Sequence, residues 1–453
     1  MTLSSMRQIL KKYTSIVIFD RSAIMFLKQQ ITVWDQEDKM KLEQVEGYEY
    51  IEGGVCAAAG FVSGGCNCGL NPDKAKNDLG MIYSERICST AAVYTTNKVK
   101  GAPIVITQKN LEATGGKARA VIVNSKNANT CNADGEQKAW RMCELAAQQL
   151  QIDPREVVVA STGVIGQVLP IEPIEEHIAQ LAADLSPQNH EKAAEAIMTT
   201  DTVKKEAAVS FKIDGRTCRL GGMAKGSGMI HPNMATTLNF ITTDAAVSAG
   251  MLQKALGEIV KITYNCLSVD GDTSTNDMVC VMANGAAGNT EITEEGDAYE
   301  SFKTALYLVM LHMTKMLAKD GEGAGKLLEC ICEGAPDLDT AITAAKSVIR
   351  SPLVKCAMSG ADANCGRILC ALGYAEADLD VHKIDVELAS AKGSVMVCRD
   401  GNGLSFSEDE AAEILAEDEI KICIQLNQGN AKATAWGCDL TYDYIKINAD
   451  YRS

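Results

Sequence analysis

Short apolar runs and longer helical stripes follow one another along most of the chain. Residues 120–123 (AVIV) and 157–160 (VVVA) are continuous apolar runs bounded by polar or turn-forming residues, the pattern of buried strands. Residues 278–282 predict another strand, and residues 238–241 have strand-like character. The segment from Gly53 to Ser125 breaks into short strands separated by glycines. Helical spacing governs residues 136–150, where Trp140, Cys143, Leu145 and Leu150 form an apolar stripe. It returns at residues 187–198, with Ser186 or Asn189 as the cap, and at 246–260 and 300–319. The Met and Leu side chains of the last helix read as core. The chain end, from Thr434 onward, alternates as a strand. Strands interleaved with helices over 453 residues predict two lobes or one large α/β body.

Residues 221–244, GGMAKGSGMIHPNMATTLNFITTD, break this rhythm and centre the chain. Glycines 221, 222, 226 and 228 and Pro232 predict a loop, and the apolar run after Thr237 predicts the strand it feeds. By composition alone this is a glycine-rich connection followed by an edge strand. Lys225 among glycines suggests phosphate binding, but the G-x-x-x-x-G-K spacing of a phosphate loop is missing. Small residues at Gly228 and Ala235 leave the backbone open to attack by a neighbouring hydroxyl, and Thr236 sits at the loop–strand junction.

Composition narrows the functions available. A net charge of −16 argues against nucleic acid and anionic membranes as partners. No run of apolar residues reaches the roughly 18 needed to span a bilayer, and the run at residues 15–19 is cut short by Asp20-Arg21. Seventeen cysteines, an odd number, are scattered without a C-x-x-C pair, which points to reduced thiols in a cytoplasmic protein rather than a disulfide framework. Five histidines stand apart, and Asp270, Asp272 and Asp277 miss the calcium-loop frame, so no metal site is expected.

Residues 225–236, KGSGMIHPNMAT, resemble the self-cleavage segment of the ornithine acetyltransferase (glutamate N-acetyltransferase) family. Further matches follow in family order. They are S-T-G-V-I-G at 161–166, M-T-T-D-T at 198–202, D-G-E-G-A at 320–324, S-P-L-V-K with D-A-N-C-G-R between 351 and 367, and N-A-x-Y-R-S at 448–453. The resemblance runs from about residue 50 to the end, and residues 92–97 and 103–107 resemble the family's early strands. Residues 1–45 do not share it, and Met40 is a candidate true start. In N-S-K-N-A-N, residues 124–129, Lys126 stands where the family has glycine; at positive φ it would cost about 1 kcal/mol.

The resemblance implies an α-β-β-α sandwich of the DmpA-like, self-processing kind. The precursor would cut itself between Ala235 and Thr236, giving an alpha chain (46–235) and a beta chain (236–453) that share each site. Thr236 becomes the nucleophile and Thr162 with Gly163 the oxyanion hole; Thr199, Lys225, Glu322, Asn448 and Ser453 bind substrate with it. Transfer of acetyl from N2-acetylornithine to glutamate needs no cofactor, and two donors stay open, acetylornithine alone or acetyl-CoA as well. The family's assembly is an α2β2 heterotetramer. The rival reading is an N-terminal-nucleophile aminopeptidase or amidase of related fold. Another class, a precursor that cleaves itself only for assembly, is opposed by Lys225 and Glu322, which complement a zwitterionic amino acid. Residues 350–367 are expected to form a helix beneath the site.

Overall fold

The computed structural model describes residues 42–231 and 237–450. The elements below belong to the unit that begins at Val45. The strands are β1 (Glu49–Tyr50), β2 (Phe61–Cys66), β3 (Leu79–Tyr94), β4 (Lys117–Asn124), β5 (Val157–Ser161), β6 (Lys205–Ile213), β7 (Arg216–Lys225) and β8 (Leu238–Thr243). They continue as β9 (Leu267–Ser268), β10 (Met278–Ala283), β11 (Leu327–Ala335), β12 (Asp385–Ser390), β13 (Gly393–Arg399), β14 (Asn402–Gly403), β15 (Glu419–Gln425) and β16 (Ala431–Cys438). The α-helices are α1 (Ala102–Ala113), α2 (Gly135–Leu150), α3 (Glu172–Ala183), α4 (His190–Ala196), α5 (Ala249–Ile262) and α6 (Asp297–Lys319). After these come α7 (Leu338–Ile349), α8 (Pro352–Ser359), α9 (Cys365–Gly373), α10 (Glu408–Leu415) and α11 (Tyr442–Asp450).

Two sheets result, and the fold is mixed α/β as expected. One runs β1-β6-β7-β8-β10-β3-β4-β5 with β2 added to β3, and the other β14-β13-β12-β15-β11-β16-β9. Both faces of the first sheet are covered, so its strands are apolar on both sides. Ile82, Val121 and Val158 join the cluster that holds Phe240 and Met278, while Met81, Ile122 and Val159 pack on α2 and α3. Helix α6 lies against β6 and β7 of one sheet and β11 and β16 of the other. Its Met and Leu side chains are core, as expected, and its C-terminus delivers the 320–324 loop.

The structure corrects several expectations. Residues 103–107 lie in α1, not a strand. Pro103 sits in the first turn, and Thr107 turns its hydroxyl onto Val159 O at 2.8 Å, so tertiary contacts override a β-branched run. Residues 221–225 belong to β7 and not to a loop; a side chain on Gly221 would strike Gly54 O, so the glycine serves close packing inside the sheet. β8 is a central strand between β7 and β10. Residues 187–198 divide into a 3-10 turn capped by Ser186 and then α4. Residues 350–367 form two helices, α8 and α9, broken where Ala361 takes φ 52. The chain end after β16 is helical, because Thr441 caps it through Asp443 N at 3.2 Å. The strand at 278–282 and the helix at 136–150 are found within a residue or two of expectation.

Burial holds His231 and His312 at about 4, with nearby lysines opposing protonation further; His312 also meets Tyr50 edge-on. The folded pKa lies below the unfolded value near 6.5. This stabilisation is therefore full above pH 6.5 and is lost as pH falls toward 4. Allowing for partial solvent screening, each ring should contribute on the order of 1–2 kcal/mol between pH 7 and 5. Urea midpoints of the wild type and His312→Gln at both pH values check this, and the variant should show the shallower fall.

Candidate active site

The site draws on strand ends of the first sheet, from β5 at its edge and β7 within it, and on the segments that carry Glu322 and Asn448. Strand β5 ends in Ser161-Thr162-Gly163, where the Thr162 backbone N–H is spent on Asn124 O at 3.0 Å. The Thr162 hydroxyl and the Gly163 N–H have no acceptor among the described residues, and both residues line an open cleft. Gly163 is required here. Its φ is 128, and a Cβ would stand 2.2 Å from the carbonyl carbon of Lys126. Lys126 itself has φ 74, so the departure from the family glycine falls on a left-handed residue. Its carbonyl holds the turn by accepting Val164 N at 3.1 Å.

Facing these donors are groups suited to an amino acid. Lys225, the last residue of β7, is buried to 9% exposure and makes no direct ion pair among the described residues. Asp201 and Asp277 are its charged neighbours. Asp201 is wholly buried; burial opposes its ionisation, but the Lys205 and Lys225 ammonium groups hold it down to about 2. Burial drives Asp277 well above the usual carboxylate range, and its Oδ2 has no hydrogen-bond partner. Glu322 approaches the backbone so closely that a Cβ on Gly228 would meet its carboxyl at 2.4 Å. Asn448, on α11, donates to Glu322 Oε2 at 2.8 Å and to Tyr444 O at 3.0 Å. Thr199 lies in the loop after α4, its N–H fixed by Asp201 Oδ2 at 3.1 Å.

The cleft thus unites Thr162, Gly163, Thr199, Lys225, Glu322 and Asn448, drawn from both sides of residue 235. Ala235, Thr236 and Ser453 lie outside the described residues. Sequence reasoning missed Ser274, Thr275 and Asn276, which complete the lining. Asn276 donates to Ala128 O (2.6 Å) and Ser161 O (2.9 Å) and accepts from Thr130 Oγ1 at 2.5 Å, tying three loops into one wall. The signal was the polar S-T-N-D run before β10, of which Thr275, Asn276 and Asp277 are buried. Asp270, weighed earlier as part of a calcium loop, instead accepts Met229 N and Ile230 N at 2.6 and 2.9 Å. No group of three or more metal-binding side chains occurs among the described residues.

The ArgJ family model matches residues 62–453. The chain belongs to the ArgJ family. Among curated relatives, Arginine biosynthesis bifunctional protein ArgJ 1 of Clostridium acetobutylicum is 51% identical over 379 residues, covering 83% of this chain and 92% of its own. Arginine biosynthesis bifunctional protein ArgJ of Symbiobacterium thermophilum is 49% identical over 407 residues, 89% of this chain and 100% of its own. Among solved structures, an arginine biosynthesis bifunctional protein from Bacillus halodurans is similar at 46% identity and TM-score 0.45, covering 47% of this chain and 98% of that one. An ornithine acetyltransferase from Mycobacterium tuberculosis, complexed with ornithine, matches at 33% identity and TM-score 0.38, covering 42% and 100%. The helices of this ArgJ-family chain include none, among the described residues, long and apolar enough to cross a membrane.

Proposed function

We propose that this chain matures by cutting itself at Ala235–Thr236 and then uses Thr236 as the nucleophile of an acetyl transfer. As an ArgJ-family member it is an acyltransferase of arginine biosynthesis with two activities, ornithine acetyltransferase and N-acetylglutamate synthase. The observation carrying the mechanistic reading is the cleft. Two unspent oxyanion donors face a buried cation and an acidic group across a space fit for an amino acid. Thr236 directly precedes Thr237 in the sequence. The carbonyl of Thr237 is bonded by Met278 N at 3.0 Å, next to the Asn276 wall.

Before cleavage, the Thr236 hydroxyl attacks the Ala235 carbonyl, the peptide nitrogen leaves as the amine of Thr236, and water resolves the ester. The new α-amine, with a reference pKa of about 7.7–8.0, is partly neutral at pH 7 and takes the hydroxyl proton. Thr236 Oγ then attacks the acetyl carbonyl of N2-acetylornithine. Thr162 Oγ and Gly163 N–H hold the oxyanion, ornithine leaves, and the amine of glutamate takes the acetyl group from the threonine ester. Lys225 pairs with the substrate carboxylate, while Glu322, steadied by Asn448, pairs with the ornithine side-chain ammonium. Thr199 and Ser453 close the pocket. In the second activity acetyl-CoA loads the same threonine. The alpha and beta fragments remain together in the cytoplasm as an α2β2 heterotetramer.

Acetyl exchange between N2-acetylornithine and glutamate tests this. The expected result is N-acetylglutamate formed in step with ornithine and no accumulation of free acetate. Acetate released in step with ornithine would transfer the site to the hydrolytic aminopeptidase or amidase class. Cleavage without either product would leave only self-processing.

A further inference from the structure

Beneath the cleft, three charged side chains are buried together. The Lys205 ammonium, fully buried at the start of β6, donates to Asp201 Oδ1 at 2.7 Å and to Asp320 Oδ2 at 2.5 Å. Each carboxylate then reaches outward to a separate part of the site. Asp201 also accepts Gly226 N at 2.7 Å, directly after Lys225, and Thr199 N at 3.1 Å. Asp320 closes the end of α6, accepts Thr202 N at 3.1 Å and the Thr202 hydroxyl, and stands two residues before Glu322. Glu322 N in turn donates to Ser227 O at 2.8 Å, and Ser227 shares a 2.6 Å hydroxyl contact with Thr200.

We infer that Lys205 is a positioning residue for amino-acid binding, setting the mutual spacing of Thr199, Lys225 and Glu322 through its two carboxylates. This rests on the substrate-binding reading of those three residues. The energetics favour such a role over plain stabilisation. Burying three charges costs several kcal/mol per ion, and well-packed apolar side chains of the same volume serve stability as well or better. What apolar side chains cannot supply is a pair of acceptors aimed at the backbone N–H groups of Thr199 and Gly226. One ammonium against two carboxylates also leaves a residual negative charge, and Lys225 is a second cation acting on Asp201. The cluster therefore fixes both where Lys225 stands and what it faces.

Kinetics on Lys205→Met, Lys205→Arg and Asp320→Asn test this, together with L-ornithine binding by calorimetry. Lys205→Met should raise KM for acetylornithine and glutamate about tenfold or more while kcat changes less than about threefold, the pattern of lost binding geometry. Arginine should restore KM to within about threefold of wild type, since it can bridge both carboxylates. Asp320→Asn leaves the Lys205–Asp201 pair intact. It should weaken the ornithine side, which depends on Glu322, more than the glutamate side, and it carries the test if Lys205→Met does not fold. A soluble Lys205→Met or Asp320→Asn enzyme with wild-type KM and ornithine affinity overturns the inference. So does loss of folded protein in both variants without rescue by arginine, which would assign the triad to the fold alone. Wild-type exchange in the same assay keeps the functional reading separate, because an unchanged KM in the variants removes only the positioning role.

Discussion

Thr236→Ala should yield a single intact chain of 48.4 kDa with neither cleavage nor acetyl transfer. The wild-type chain should instead give two fragments. Divided 235 to 218 by residue count, the mass predicts about 25 and 23 kDa, the smaller beginning TTLNFITTD. One hydroxyl serves two reactions. Each needs an oxygen nucleophile at residue 236, an acyl carbon in front of it and the same oxyanion donors behind that carbon. Alanine removes the nucleophile and, with it, the cut that would free an α-amine to act as base. Thr236→Ser keeps the hydroxyl on the same residue and should still cleave, more slowly, with some transfer. Gel electrophoresis, N-terminal sequencing and the exchange assay read all three proteins. Wild-type transfer by the alanine variant would move the nucleophile elsewhere and take the mechanism with it.

The motif residues were readable in the sequence because each occupies a loop or element end whose local pattern is distinctive. Glu322 stands between glycines, Thr162-Gly163 stops an apolar run, and Thr199 follows a helix. Their convergence came from the resemblance and not from periodicity, since β5, β7, α6 and α11 are far apart in the chain. The errors have the same origin. Residues 103–107 resemble an early strand of the family, but Thr107 finds its partner 52 residues away in β5. Gly221 and Gly222 look like a loop because the reason for a glycine there, the approach of the Gly54 carbonyl, is remote in sequence. The partners of Asn276 and Lys205 are remote as well. Asn276 reaches Ala128 across 148 positions, and Lys205 reaches Asp320 across 115. A buried polar residue is defined by its partners, and a single sequence does not display them.

Gly163→Ala should be the most damaging substitution among the described residues that leaves the nucleophile in place. The added Cβ would stand 2.2 Å from the Lys126 carbonyl carbon, 2.5 Å from its oxygen and 2.6 Å from Asn127 N, all backbone atoms that cannot swing aside. The φ of 128 adds strain that an L side chain rarely bears. Relief requires the turn to move, yet Val164 N to Lys126 O (3.1 Å) and Ala128 N to Val164 O (2.9 Å) hold it. The N–H at 163 is therefore displaced, and Thr162 moves with it. Loss of one such donor costs roughly a hundred- to a thousandfold in kcat, the expected effect of Thr162→Ala, where the Gly163 N–H survives. Gly163→Ala disturbs both donors and should exceed it in kcat and in the rate of self-cleavage. KM should stay near wild type, because Thr199, Lys225 and Glu322 hang from other elements. Kinetics on cleaved enzyme, with melting temperature as a control for folding, make the comparison. A folded Gly163→Ala enzyme cutting itself and turning over at the wild-type rate would show that the oxyanion is held elsewhere.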